Sequence, residues 1–208
     1  MPKRITYLTK RESLSRAEFS EHWSGVHARI AINLPGVLAY RQNHVIPDFS
    51  SENDVDGIVE LWFTSEADAS AGFGSEVADR LIVDEPRFLD GLAGAAVDAT
   101  DPLPAQPGKV WVLVQPSSTT VGADLNRWAN SARADIRALH VAVDLLDNSS
   151  PILTRTALSA RELPSAAVSF AFASVPEASA AAERVRRALA TLAGARATVY
   201  VAEEVVIV

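Results

Sequence analysis

Short apolar runs alternate along this chain with amphipathic stretches, and the pattern predicts strands and helices in a definite order. RITYLT (4–9) reads as a strand. Ser15 and Glu18 make a capping box, with Leu14 placed for a hydrophobic staple. A helix follows and stops near Asn33, ahead of Pro35 and Gly36. VLAYRQNHVI (37–46) and VDGIVELWFT (55–64) read as two strands joined by the 47–54 loop. Ser65 and Ser75 can each cap a helical piece, and Pro86 restarts a turn after Asp84. GAAVDA (94–99) supplies a last strand, so the order is βαββαβ.

Residues 100–108, TDPLPAQPG, carry three prolines and a glycine and read as a linker. Beyond it the order recurs. KVWVLV (109–114) is a strand, GADLNRWANSA (122–132) an amphipathic helix, and IRALHVAVDLL (136–146) a strand. AAVSFAFASV (166–175) is another strand, residues 177–194 form a helix stopped by Gly194, and the chain ends in a strand. Residues 152–159 are an extra strand or hairpin arm. Setting DGIVELWFTSEADA against AAVSFAFASVPEAS places Trp62 opposite Phe172. The chain thus reads as a degenerate duplication, with units at 1–99 and 109–208. A βαββαβ unit is the α+β ferredoxin-like plait, with both helices on one sheet face. Two plaits packed sheet to sheet within one chain make a pseudo-dimeric α+β barrel with helices outside.

Composition narrows the chemistry. The 208 residues carry a net charge of −7 and no basic patch, which disfavours nucleic acid as a partner. There is no cysteine, so thiolate nucleophiles, disulfides and cysteine-ligated metals are excluded. No run of about 18 apolar residues and no apolar leader is present, which points away from membranes and toward the cytoplasm.

Four histidines occur, two of them in EHWSGVHARI. On an α-helix, positions five apart lie about 140° from each other, so His22 and His27 are expected to diverge. His27 shares a stripe with Phe19, Trp23, Ile30 and Leu34, while His22 falls with Glu18 and Arg29 on the solvent side. His27 is either a buried structural imidazole or a general acid/base, a role its near-neutral pKa suits. Glu60 stands mid-strand among apolar neighbours. It is either on an edge facing water or a buried carboxylate with a shifted pKa. Strand 37–46 is unusually polar and is expected at an edge, its alternative being the wall of a hydrated pocket. Asp84 is most simply a helix N-cap, with Phe88 in the core.

LSRAEFSEHWSGVHARIAINLPGVLAYRQNHV, VDGIVELWFTS and VDEPRFLD, in that order and spacing, resemble the EthD-like family of the dimeric α+β-barrel superfamily over about residues 4–98. The second half looks like a diverged copy without the histidine, the mid-strand glutamate or the Asp-Glu-Pro segment. The resemblance implies a small-molecule cavity between sheet and helices, and homodimers, here of tandem chains. It matches the family's helix-end histidine to His27, its strand carboxylate to Glu60 and its acidic turn to Asp84. The reading is a cofactor-independent lyase or isomerase for an aromatic or polyketide-like organic acid. His27 is its acid/base, Glu60 or Asp84 orients His27, and Trp23, Tyr40 and Trp62 form an apolar wall. No metal, haem or other cofactor is expected. The alternatives are a non-catalytic binding protein with a structural His27, and a cofactor-free monooxygenase.

Overall fold

A computed structural model describes residues 1–47, 55–72, 74–97, 100–115, 122–147, 157–160, 162–192, 194 and 196–208. The 47–54 loop beyond Pro47, and the extra strand up to residue 156, lie outside the described residues. The first plait runs β1 (Lys3–Lys10), α1 (Arg16–His22), a π-turn (Trp23–His27), α2 (Ala28–Ala31), β2 (Val37–Val45) and β3 (Gly57–Phe63). It continues through α3 (Glu66–Gly72), α4 (Glu76–Asp84), a 3-10 turn (Glu85–Arg87) and β4 (Leu89–Val97). The second runs β5 (Gly108–Val114), α5 (Gly122–Ile136), β6 (His140–Leu145), β7 (Ser159–Ala160), β8 (Ala166–Phe172), α6 (Val175–Leu189) and β9 (Ala197–Val206).

The strand order is β6-β8-β5-β9-β2-β3-β1-β4-β7. The two plaits meet at unlike edges, the last strand of each beside the second strand of the other. β9 pairs antiparallel with β2 from Arg41↔Val206 to Val45↔Ala202. On the far side, Val97 bridges Leu146 and the Asp147 N–H donates to Ala96 O, so the sheet curls round and closes. β7 adds a short parallel pairing to β4.

Alternation along each strand sends one set of side chains inward and the next toward the helices. Ile5, Tyr7, Ile58, Ala95, Trp111, Leu113, Ala167, Tyr200 and Ala202 meet inside the barrel, drawn from both halves. Outside, Phe19, Trp23, Tyr40, Val59, Leu81, Phe88 and Leu92 pack the first plait's helices onto its sheet. Val110, Val168, Phe170, Trp128, Ala182 and Val185 do the same in the second.

Local signals act as their chemistry requires. Ser15 and Glu18 close the capping box. Ser65, Ser75 and Ser174 each accept a backbone N–H at a helix start. Gly36 ends the first helical stretch at φ 65°, where an added Cβ would lie 2.5 Å from Asp68 Cβ. The capping serines also correct the internal alignment by one residue. Matching Ser65 to Ser174 pairs Phe63 with Phe172, both facing helices, and Glu60 with Ser169, both facing inward. The expected Trp62–Phe172 match would put equivalent residues on opposite sheet faces.

β2 is not an edge, since β3 and β9 flank it. Its polar side chains are tolerated because they find partners. Gln42 Nε2 donates to Trp23 O and Tyr40 Oη, and Asn43 Nδ2 to Ile58 O and Glu60. His44 bonds Ser20 and Ser24 and lies against the Trp23 ring. Burial lowers the His44 pKa to about 4. The folded value lies below the unfolded 6.5, so its contribution to stability is complete above pH 6.5 and is lost as pH falls toward 4. Urea midpoints measured across that window should fall more steeply for the parent than for His44→Gln.

Candidate active site

The first helical stretch does not stay α-helical. Between Trp23 and His27 it widens into a π-turn, and Ala28 N–H reaches back five residues to Trp23 O. The extra residue in that turn cancels the divergence expected of positions 22 and 27. Both imidazoles converge on one carboxylate. His22 Nε2 lies 3.1 Å from both Asp84 oxygens, and His27 Nδ1 lies 3.1 Å from Asp84 Oδ2. His22 is therefore not a solvent-side residue. Asp84 closes α4 and holds the N-cap position of the 3-10 turn, as expected, but its side chain makes no capping bond there. A carboxylate at a helix C-terminus meets the unfavourable end of the helix dipole, which the two imidazoles offset. Burial pushes the Asp84 pKa up, but the hydrogen bonds from His27 and His22 outweigh it and hold it below the ordinary value. Phe88 buttresses the group, with each imidazole centroid 4.9 Å from its ring.

His27 lines a mainly apolar cavity of about 100 Å³ between the helices and the sheet. Val59, Leu61, Leu89 and Leu92 form much of its floor, with Arg4, Thr6, Tyr40 and Glu85 as polar wall. With Nδ1 on Asp84, His27 Nε2 has no hydrogen-bond partner among the described residues. Tyr40 Oη accepts from Trp23 Nε1 at 3.1 Å and from Gln42 Nε2 at 2.7 Å. Both lone pairs are then taken, which leaves the hydroxyl hydrogen to donate. Burial raises the Tyr40 pKa to about 12, so that hydrogen stays in place at neutral pH. Arg4 binds Glu66 and Lys3 O through its terminal nitrogens, while its buried Nε has no partner among the described residues.

The other expected site residues separate from this cavity. Glu60 faces the barrel interior, on the opposite sheet face from His27, and does not orient it. Its oxygens meet Lys3 Nζ at 2.9 Å and Lys109 Nζ at 2.6 Å. Lys3 also binds Asp144 at 2.8 Å, and Lys109 binds Glu204. Burial alone would raise the Glu60 pKa, but Lys109 and Lys3 reverse it and hold the carboxyl well below its ordinary value. Trp62 is interior too, with Lys3 Nζ 4.9 Å and Arg41 5.2 Å from its ring. Trp23 is fully buried beneath Tyr40 and does not line the cavity. Of the expected wall, Tyr40 alone lines it.

Residues 11–92, the stretch that carries His22, His27, Tyr40 and Asp84, match the family model described as the EthD domain. Residues 11–92 are an EthD domain. No curated protein matches the chain. The whole chain shares its fold with an anthrone oxidase-like protein at TM-score 0.55 and 11% identity, covering 99% of this chain and 93% of that one. A chlorite dismutase double mutant from Candidatus Nitrospira defluvii gives 0.54 and 8%, with 99% and 92% covered. A candidate monooxygenase from Lactobacillus acidophilus gives 0.52 and 11%, with 100% and 94% covered. At these identities the likeness is one of fold, the dimeric α+β barrel.

The EthD domain and the second half differ on the helix side. In the second half Trp128 meets Phe170 edge-on at 5.9 Å, and its Nε1 donates to Ala188 O. Arg4 lies just ahead of the EthD domain and was not singled out from the sequence. Its signal was the phase of KRITYLT, where Arg4, Thr6 and Leu8 share one strand face. Lys3 and Lys109, each opening an apolar strand, gave an equally readable sign that Glu60 has buried partners. No helix of the described residues is long and apolar enough to cross a membrane.

Proposed function

We propose that the cavity of the EthD domain is the site of cofactor-independent acid/base chemistry on a small, largely apolar carbonyl compound, an aromatic organic acid or ketone of the kind a lyase or isomerase handles. The observation that carries this reading is His27, held by Asp84 through Nδ1 with Nε2 free at the cavity wall. An ionised carboxylate only accepts, so Nδ1 bears the proton and Nε2 the lone pair.

That arrangement suits removal of a proton from carbon next to a carbonyl. Nε2 takes the proton, the C–H pair moves into the new C=C bond, and the carbonyl pair moves onto oxygen. The Tyr40 hydroxyl is a donor for that enolate oxygen, and Arg4 Nε is one for a substrate carboxylate. The imidazolium formed is stabilised by Asp84 and returns the proton at the same or a neighbouring carbon.

Deuterium exchange in D2O, followed by proton NMR on 2-indanone and related small aryl ketones and keto acids, tests this directly. The parent should exchange the activated hydrogens about 10²–10⁴-fold faster than His27→Gln. Equal rates for both proteins across the set overturn the reading and leave His27 a structural residue of a binding protein.

A further inference from the structure

The barrel interior contains a second cavity of about 250 Å³, on the sheet face opposite the histidine site. Its polar lining includes Lys3, Arg41, Glu60, Trp62, Lys109 and Ser169, with Thr100, Asp101 and His140 also present, and Leu103 and Pro104 contribute an apolar rim. Most of these groups satisfy one another. Both lysines are paired with carboxylates, and both Glu60 oxygens are occupied.

Among the groups that line the cavity, what is left over is donor capacity; the unpartnered acceptors Asn43 Oδ1 and Asp144 Oδ1 belong to residues that do not line it. Trp62 is 2% exposed, and its Nε1–H has no partner among the described residues. Among the described residues Arg41 makes one side-chain hydrogen bond, to Leu103 O, and pairs with Glu204 only at 3.7 Å, beyond hydrogen-bond reach. The Ser169 hydroxyl, buried on the same wall, has no partner among the described residues. A buried N–H without an acceptor is unfavourable, and an ionised acceptor makes the strongest bond to it. Of the two cations beside the Trp62 ring, Lys3 is already held between Glu60 and Asp144, while Arg41 makes only the 3.7 Å ion pair with Glu204 and keeps charge to offer an anion. The one carboxylate at the rim, Asp101, is held by the N-terminal ammonium at 3.4 Å.

We propose that the barrel interior is a second binding site, for a small monocarboxylate. Its oxygens accept from Trp62 Nε1, Arg41 and Ser169, and its apolar end rests on Leu103 and Pro104. The site is separate from the acid/base cavity and does not depend on the reading given to His27.

Titration of the full chain, labelled with ¹⁵N in its tryptophans, with benzoate and with the uncharged benzamide tests the proposal. Benzoate should shift the Trp62 indole N–H resonance saturably, and benzamide should bind at least tenfold more weakly. Arg41→Gln should weaken benzoate at least tenfold by calorimetry. So should Trp62→Phe, which keeps a ring between the cations and guards against a folding defect in the arginine variant. His27→Gln should bind benzoate as the parent does. An unmoved Trp62 resonance, equal affinity for benzamide, or full affinity in Trp62→Phe overturns the proposal. So does loss of binding in His27→Gln, which would place benzoate in the other cavity.

Discussion

Glu60→Ala is expected to destabilise the protein by about 3–5 kcal/mol, a large share of the stability of a domain this size. The carboxylate sits between Lys3 and Lys109, all three buried within the barrel. Without it, each ammonium keeps a single partner, Asp144 or Glu204, inside a low-dielectric core. Truncation removes more than an attraction, because it leaves desolvated charge uncompensated. Glu60→Gln still offers an acceptor to Asn43 and to the lysines, so it should lose less. Urea unfolding at pH 7 checks both. Acid adds a second signature. The folded pKa of Glu60 is depressed, so its stabilisation is present above the unfolded value of 4.5 and is lost as pH falls through the folded value. The parent should therefore weaken in acid more steeply than Glu60→Gln.

Asp84→Asn is expected to lower kcat by about 10²–10⁴-fold on whichever compound the exchange assay identifies, with a far smaller effect on KM. Asp84 is a positioning residue for His27. An asparagine can present an N–H to His27 Nδ1, and the imidazole then moves its proton to Nε2, the atom proposed to act as base. The imidazolium would also lose its counter-charge. Steady-state kinetics gives the loss. Nitrogen chemical shifts of the His27 ring report the tautomer, a readout that a merely structural carboxylate would not move. His22 shares the same carboxylate, so its resonance should move as well.

Much of the fold was legible because it is written locally. The Ser15–Glu18 box, the capping serines 65 and 75, and the stop at Gly36 are short-range chemistry, and each acts where the sequence places it. The strand phases are local too, yet a single-residue slip in the internal alignment put Trp62 and Phe172 on a common face. Strand period is two, so one residue is enough to invert a face. The site was half legible. His27 stood out as a scarce titratable group on an apolar stripe, while Asp84 read most simply as a helix cap and became a site candidate only through the family resemblance. His22 did not, because its position depends on a π-turn, and nothing in WSGVH requires the helix to widen there. Glu60 was visible as an anomaly, but the lysines that hold it arrive from strands far away in sequence. Local pattern cannot tell which side of a sheet such partners occupy once the sheet has curled into a ring.

Lys3 and Lys109 occupy corresponding places in the two plaits, one on each opening strand, opposite Trp62 and Ala171 in matching registers. Glu60 stands once between them, with Ser169 where its twin would be. Two identical chains assembled around a dyad could not build that trio, since a second central glutamate would come with the first, beside lysines that each already hold an outer carboxylate. Covalent fusion releases the interior from even numbers. An unpaired acid can serve a pair of bases, and the place its duplicate would have filled becomes free space.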